Sequence, residues 1–468
     1  MKRTLNIYDR DTKVGSIELD DNNVYHLMYD DNWIRNGYEL SNHLPLDKNV
    51  HNGEKVKIFI ANLLPEGIPL DELTMHYNIS KSDKFGLLKK IGSETSGAFT
   101  FITNTEKENC VTTFREIKEA ELSQRIKKRK SIPITIWDEK PRVSVAGVQD
   151  KLPITIIDGQ YGLGSGNICS THILKFGKEE YVLNEYLSLM LAYDAGLDVN
   201  EVKLINFDGV YALRVKRFDR YIKDKNDIRK LHLLDSCQML NLPPEFKYEK
   251  VEVRGGERIG AKLSSIFKLC DLTSFPIETK VKIIDWVIVN LCLANADAHA
   301  KNISFIVDAN CIALAPFYDI MNISLLAHTY KDSLAMAIDD EFIILDIKAF
   351  DLKEFAKENN IKTSLLKKRF DLVIKKIRDS LSEPNRHGFE ESLEKKKFFK
   401  EYKENTLFRL NVLSKVVHYL TFPEAEDFDK YLRINKTKVT KLLNISELKN
   451  KSSGEIIDLY FEKTLVIV

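Results

Sequence analysis

A chain of 468 residues is too long for one core of ordinary size and predicts two or three domains. Its composition is globular, 44% hydrophobic and 30% charged, and a net charge of +1 excludes wholesale binding to nucleic acid, so any such contact must come from a local patch. The six cysteines (Cys110, Cys169, Cys237, Cys270, Cys292, Cys311) are scattered without a CxxC pair, which argues against a disulfide scaffold or a zinc knuckle. The N-terminal MKRTLNIYDRDTKVG has no apolar signal core. The longest apolar run, Val281 to Ala294, is too short for a bilayer and is broken by Asp285 and Asn290. The expectation is a soluble, cytoplasmic protein with no membrane partner.

In chain order, TLNIYD and VGSIEL alternate around DRDTK and predict a hairpin. EKVKIFIANLLPEG carries a helical apolar stripe that stops at a Pro-Glu-Gly turn. The basic stretch RIKKRKSIP, 125–133, is expected to be a solvated bridge marking a boundary. From Pro141, RVSVAGVQDKLPITIIDGQYGLG predicts strand, loop, strand, Asp-Gly turn, strand, and STHILKF another strand. KEEYVLNEYLSLMLAYDAGL predicts a helix closed by Gly196, and VKLINFDGVYALRVKRFD a hairpin turned at Asp208-Gly209. From about Leu231 helices are expected to dominate, interrupted by the hairpin ISFIVDANCIALAPFYD. The last fifty residues are expected to form a lysine-rich helical tail.

The apolar run IIDWVIVNLCLA ends abruptly in NADAHAKN, Asn295 to Asn302. An acid, a histidine, a lysine and an amide in so short a span are costly to bury unpaired and point to a site. Phosphoryl transfer from ATP needs a phosphate-covering loop, a strand lysine, a helix glutamate to pair it, a base Asp, a metal-binding Asn four intervening residues later, and a second metal Asp. The chain offers those parts in that order. VAGVQDK, Val145 to Lys151, lies between predicted strands, and Lys175 ends the strand THILK. Glu185 lies on the next helix and VKRFDR follows the last strand of the sheet. Asp297 and Asn302 have the D-x-x-x-x-N spacing, and Asp319 follows the hairpin.

Each part alone has a plainer reading. VAGVQDK matches no glycine-rich nucleotide pattern and reads as a hairpin loop. Lys175 reads as a strand-end lysine with its charge in water, and Asp319 as a helix cap. His172 and His299 have no second ligand at a zinc-site spacing. The order of the parts, rather than any one of them, carries the kinase reading.

SVAGVQDK, STHILK, VKRFDR, DAHAKN and LAPFYDI resemble the signature segments of the HipA family, serine/threonine kinase toxins of bacterial toxin–antitoxin modules. IANLLPEG, IGSETSGAFTFI and LAMAI resemble other parts of the same family, and the resemblance spans roughly residues 1–415. It implies an α+β, two-lobed protein-kinase-like fold with a sheet-rich N-terminal part and a mainly helical C-terminal lobe. The expected divisions are an N-terminal subdomain over 1–105, a kinase N-lobe over 106–225, a helical C-lobe over 226–415 and a tail over 416–468. The resemblance also implies roles. Ala146, Gly147, Val148, Gln149, Asp150 and Lys151 would meet ATP phosphates, with Lys175 binding them from its strand and pairing with Glu185. Lys216, Arg217 and Phe218 would hold adenine through backbone. Asp297 would accept the substrate proton. His299, Ala300, Lys301, Asn302, Tyr318 and Asp319 would complete the nucleotide site, with Asn302 and Asp319 on Mg²⁺. Ser144 matches the serine that family members autophosphorylate, with loss of activity. Asp150 stands where Glu is usual, and Ala298 where Gly is usual.

The expected activity is that of an ATP- and Mg²⁺-dependent serine/threonine protein kinase toxin, with a translation component such as an aminoacyl-tRNA synthetase as substrate. Its expected partner is a helix-turn-helix antitoxin, through which alone it would meet operator DNA. The alternatives are a catalytically silent corepressor of kinase fold and a small-molecule kinase. Lys175 is expected to serve nucleotide binding rather than folding.

Overall fold

The computed structural model describes residues 3–93, 95–108, 111–142, 150–251, 258–326, 333–389 and 391–420. Ser144, Ala146, Gly147, Val148 and Gln149, and all but the first five residues of the expected tail, lie outside them. No described helix is long and apolar enough to cross a membrane.

The N-terminal unit is a five-stranded antiparallel sheet, in the order His51–Asn52, Tyr25–Tyr29, Thr12–Leu19, Arg3–Asp9, Thr100–Ile102. Alternation sends Leu5, Ile7, Ile17 and Leu27 to one face. Helices Glu54–Leu63, Gly67–Tyr77 and Lys84–Ile91 join it, and Phe59 and Phe85 enter the same core.

A second, six-stranded antiparallel sheet follows. Its order is Val202–Phe207, Val210–Lys216, His172–Lys175, Lys151–Ile157, Gln160–Ser165, Thr113–Glu116. Both predicted Asp-Gly turns form with the two residues at positive φ, 51° and 82° at Asp158-Gly159 and 46° and 88° at Asp208-Gly209. That twist matches the flanking strands. The sheet is buried on both sides. Ile173 and Val215 join the core shared with the helices and the N-terminal unit, while Leu174, Leu152 and Ala212 join a separate core on the opposite face. Period two therefore puts Lys175 on the face of Ile173, toward the helices.

The basic stretch at 125–133 is not wholly a solvated bridge. Its first residues lie in the helix Glu119–Lys127, which buries Leu122 and Ile126 in the second core beside Trp137, Leu152 and Phe207. The i, i+4 spacing of those two apolar residues outweighs the surrounding lysines, whose charged ends stay in water.

Helix Glu179–Ala195 crosses between the sheet and the helical lobe. It ends at Gly196, whose φ of +103° lets Leu197 N–H return to Ala192 O at 3.0 Å. The lobe centres on Pro276–Cys292, which is buried without interruption from Ile283 to Cys292. Its acid, Asp285, accepts from Arg369 Nε at 2.6 Å, from helix Thr363–Leu381. The expected hairpin forms as Ser304–Val307 and Ile312–Leu314. A third strand, His232–Asp235, pairs with Ser304–Val307. It goes unannounced in the sequence because four residues are too few to establish an alternation. The closing helix, Leu393–Tyr419, runs through the expected boundary at 416 without a break.

Replacing Leu122 with Ala should cost about 2–5 kcal/mol, as for other buried leucines. The melting temperature of the full chain should fall clearly, while Ile132→Ala, at a partly exposed position, should barely move it. Equal and negligible shifts would mean that the helix Glu119–Lys127, which carries the start of the basic segment, does not belong to the second core.

Candidate active site

The cleft is built where the six-stranded sheet meets the helical lobe. Lys175 and Lys151 are direct partners across adjacent strands, so their side chains leave the sheet on the same face. Lys175 Nζ donates to Glu185 Oε1 on the crossing helix and to Asp319 Oδ1 at 2.7 Å. Burial works against the Lys175 charge, and the Asp319 and Glu185 carboxylates more than offset it, so the ammonium is held above its usual range. Burial pushes Glu185 up. Asp319 also meets a desolvation penalty, which Lys175 reverses, leaving its carboxyl at about 2. Lys151, buried beside a second cation, is lowered to about 7, first by burial and then by Lys175.

Asp319 owes its position to a local anchor. The N–H of Phe317 donates to Asp198 O at 2.7 Å and its carbonyl accepts from Asn200 N at 3.1 Å. The chain then turns through φ of +61° at Asp319, a left-handed conformation that is uncommon outside glycine.

The opposite wall is the loop after the long buried helix. That helix terminates through Ala294, at φ of +52°. Asn295 N–H donates to Asn290 O and its Nδ2 to Asn290 Oδ1, both at 2.8 Å. Asp297 then accepts from the Tyr248 hydroxyl at 2.8 Å, and Asn302 Nδ2 donates to the Asp297 carbonyl at 3.1 Å. Burial raises the Asp297 carboxyl, the Tyr248 bond opposes this, and the charge of Asp319 adds to it. Such a carboxylate is a stronger base than one in water. The His299 ring meets Tyr248 edge to face at 5.1 Å, and burial lowers it to about 4, so it stays neutral at pH 7.

Three expected residues are placed differently from the others. Lys301 is buried, and its ammonium donates to Asp235 Oδ2 at 2.6 Å and Asn62 Oδ1 at 2.9 Å. Arg217 is also buried, with Nη2 to Asp219 Oδ2 at 2.7 Å and Nε to Oδ1 at 2.9 Å. The backbone N–H groups of Lys216 and Arg217 donate to Glu201 O and Thr171 O, and the Lys216 ammonium pairs with Glu201. The Phe218 ring stacks with Tyr318 at 5.9 Å, and the Tyr318 hydroxyl donates to Lys301 O at 2.6 Å. Asp150, directly before Lys151, lies 4.0 Å from the Arg129 guanidinium. His172 sits on its strand with Nδ1 at 2.9 Å from Thr171 Oγ1.

Sequence reasoning missed Tyr248, Lys247, Glu66 and Asn62. Asn62 and Glu66 fall within IANLLPEG and Lys247 and Tyr248 in no quoted segment, and none of the four carried a role in the sequence, because their contacts join distant parts of the chain. The Pro-Glu-Gly turn that carries Glu66 was marked as a helix stop, and IANLLPEG as a family-like segment, with no side chain singled out in either.

A two-lobed arrangement with a strand lysine, a helix glutamate, a loop aspartate–asparagine pair and a second aspartate defines a kinase-like enzyme. Residues 5–102 match the HipA N-terminal domain and residues 143–383 the HipA-like C-terminal domain. The serine/threonine-protein kinase toxin HipA of Shewanella oneidensis is 33% identical over 387 residues, covering 81% of this chain and 89% of that one. Y4mE of Sinorhizobium fredii is 28% identical, covering 80% and 89%. The Shewanella oneidensis HipA solved with HipB and its operator DNA superposes with a TM-score of 0.81 at 31% identity, covering 90% of this chain and all of that one. The chain belongs to the HipA family of serine/threonine-protein kinases.

The expectation that Lys175 serves nucleotide rather than folding is too narrow for an ammonium held between two carboxylates. Lys175→Met should cost about 3–5 kcal/mol, as when one partner of a buried pair is removed. The pH dependence has a definite sign. Asp319, with its lowered pKa, contributes stability above its ordinary titration range and loses it as pH falls toward 2. Glu185, with its raised pKa, favours folding when protonated and penalises it as pH rises. Without Lys175 that penalty grows, so the deficit in melting temperature should be larger at pH 8 than at pH 5. A deficit independent of pH would contradict this account.

Proposed function

We propose that this chain transfers the γ-phosphate of ATP, with Mg²⁺, to a serine or threonine hydroxyl of a protein. The observation that carries the reading is the Lys175 ammonium held between Glu185 and Asp319, with Lys151 beside it on the same face. The Asp297 carboxyl, raised by burial and further by the charge of Asp319, is fixed by the Tyr248 hydroxyl on the opposite wall. Two lysines on one face of a partly closed cleft favour a polyanion such as a triphosphate.

The donor set fits Mg²⁺. Asp319 has Oδ2 in addition to the oxygen that meets Lys175, and Asn302 brings an amide oxygen while its nitrogen is held by the Asp297 carbonyl. Among the described residues no cluster of three His, Cys, Asp or Glu could hold a metal. That suits an ion whose remaining ligands are phosphate oxygens and water. When bound, Mg²⁺ would neutralise phosphate charge. Lys175 and Lys151 orient the phosphates. Asp297 orients the substrate hydroxyl and takes its proton, with the Tyr248 hydroxyl fixing Oδ1. The Phe218–Tyr318 stack offers an aromatic wall for adenine, and with the N–H groups of Lys216 and Arg217 occupied, a backbone N–H for adenine would come from Phe218 while the carbonyls of the segment remain acceptors. Lys301 and Arg217 act as struts of the site rather than as nucleotide ligands.

Family membership supports a helix-turn-helix antitoxin as partner, with operator DNA met through it, since the Shewanella relative was solved with HipB and operator DNA. A translation component, an aminoacyl-tRNA synthetase being the leading candidate, is the proposed target, and growth arrest the proposed outcome. The silent-corepressor reading is disfavoured because an inert scaffold has no use for so many buried charges, each costly to desolvate.

Asp297→Gln and Asp319→Asn should each leave a folded chain with at least about a hundredfold less label transfer from γ-labelled ATP to protein. Full transfer by either variant would sink the assignment, and label arriving on a small metabolite would favour the small-molecule kinase. Ser144 is the proposed self-phosphorylation switch. A phosphate adds roughly −1.5 to −2 charge, placed a few residues before Lys151 and repelled by bound triphosphate. Mass spectrometry after incubation with ATP should find phosphate on Ser144, and Ser144→Asp should bind ATP poorly. Phosphate only elsewhere, or normal ATP binding by Ser144→Asp, would refute the switch and leave the kinase reading standing.

A further inference from the structure

The loop that carries Asp297 is braced from outside the kinase lobes. Asn62 lies in the last turn of Glu54–Leu63, in the N-terminal unit, and is buried. Its Nδ2 donates to Leu242 O at 3.0 Å and Ile58 O at 3.1 Å, which turns Oδ1 toward the Lys301 ammonium at 2.9 Å. Glu66 follows, in the Pro-Glu-Gly turn. Its Oε2 accepts from Lys247 Nζ at 2.9 Å, and its Oε1 lies 3.9 Å from Lys301 Nζ.

These two lysines bracket the catalytic loop. Lys301 precedes Asn302 directly. Lys247 precedes Tyr248, whose hydroxyl holds Asp297, and the Lys247 carbonyl accepts from Ala300 N at 3.1 Å. One carboxylate and one amide of the N-terminal unit thus brace the loop at Lys301, beside its amide, and through Lys247, beside the tyrosine that holds its acid. Lys301 is only 5% exposed and needs such partners to stay charged. Asp235 supplies one from the helical lobe, and the N-terminal unit supplies the others.

We infer that Asn62 and Glu66 are positioning residues for phosphoryl transfer, so that the catalytic loop reaches its working geometry only when the N-terminal unit is docked on it. The inference rests on the kinase reading for its effect on rate, but its effect on the loop is independent of that reading. A displacement of about 1 Å in a catalytic group can cost about a hundredfold in rate without disturbing ground-state binding. Loss of the brace should therefore lower the rate of transfer and leave ATP affinity alone.

The test uses the full chain with Glu66→Gln, Asn62→Leu and the double substitution. The measurements are the rate of label transfer from γ-labelled ATP to protein, the ATP dissociation constant, and amide hydrogen exchange over residues 295–302. The expected result is a fall of about tenfold or more in rate for the double variant, ATP affinity within about twofold of wild type, and faster exchange confined to the loop. Wild-type rate in the double variant would overturn the inference. So would ATP affinity that falls in step with rate, which marks a general structural role. If the unsubstituted chain transfers no label, the kinase reading fails, and exchange alone decides the brace: faster exchange at 295–302 upholds it and unchanged exchange overturns it.

Discussion

The cleft depends on one buried cation. Lys175 comes from the sheet, Glu185 from the crossing helix and Asp319 from the segment after the hairpin of the helical lobe, and the ammonium satisfies both acids. None of the three would be stable alone in that place: each carboxylate would protonate, and the lysine would lose its charge. The ion pairs therefore tie the relative placement of three elements to a single charge balance. Burial, and then the neighbouring Lys175 charge, lower the Lys151 pKa, an environment a polyphosphate would relieve.

A neutral network backs up the charged one. Asn184, next to Glu185 in sequence, accepts from Asn322 N at 2.7 Å and donates to Asn322 O at 2.9 Å, clamping the crossing helix to the segment beyond Asp319. The Asn322 side chain continues to Asn405 at 3.0 Å on the closing helix, and Ser188 meets the buried Tyr402 hydroxyl of the same helix at 2.7 Å. Polar groups buried this deeply stay bonded because an unmade bond there is costly. The closing helix, far from the cleft in sequence, therefore takes part in holding the Glu185 helix against Asp319.

Much of the architecture could be read locally. The Asp-Gly turns, the Gly196 stop, the Pro-Glu-Gly helix end and the hairpin after the catalytic loop each rest on a few neighbouring residues with restricted backbone choices. Strand His232–Asp235 and helix Glu119–Lys127 were less visible, the first for its shortness and the second because lysines surround two apolar residues. Individual candidate residues stood out for a related reason: a charged side chain next to an apolar run is conspicuous, as Lys175 and Asp297 are.

Sequence by itself determined which groups are available for chemistry and the order in which they arrive, because residue type, spacing and turn chemistry are properties of short segments. It also determined that Lys175 shares the face of Ile173, since alternation along a strand is local. Only the tertiary structure decided which buried charge meets which partner. Lys301 and Lys175 look equally apt for phosphate in sequence, yet one ammonium is held by Asp235 and Asn62 and the other opens on Asp319. That difference comes from partners 66, 239 and 144 positions away along the chain. The sign and strength of a buried charge's interactions depend on distances that exist only after the chain has folded.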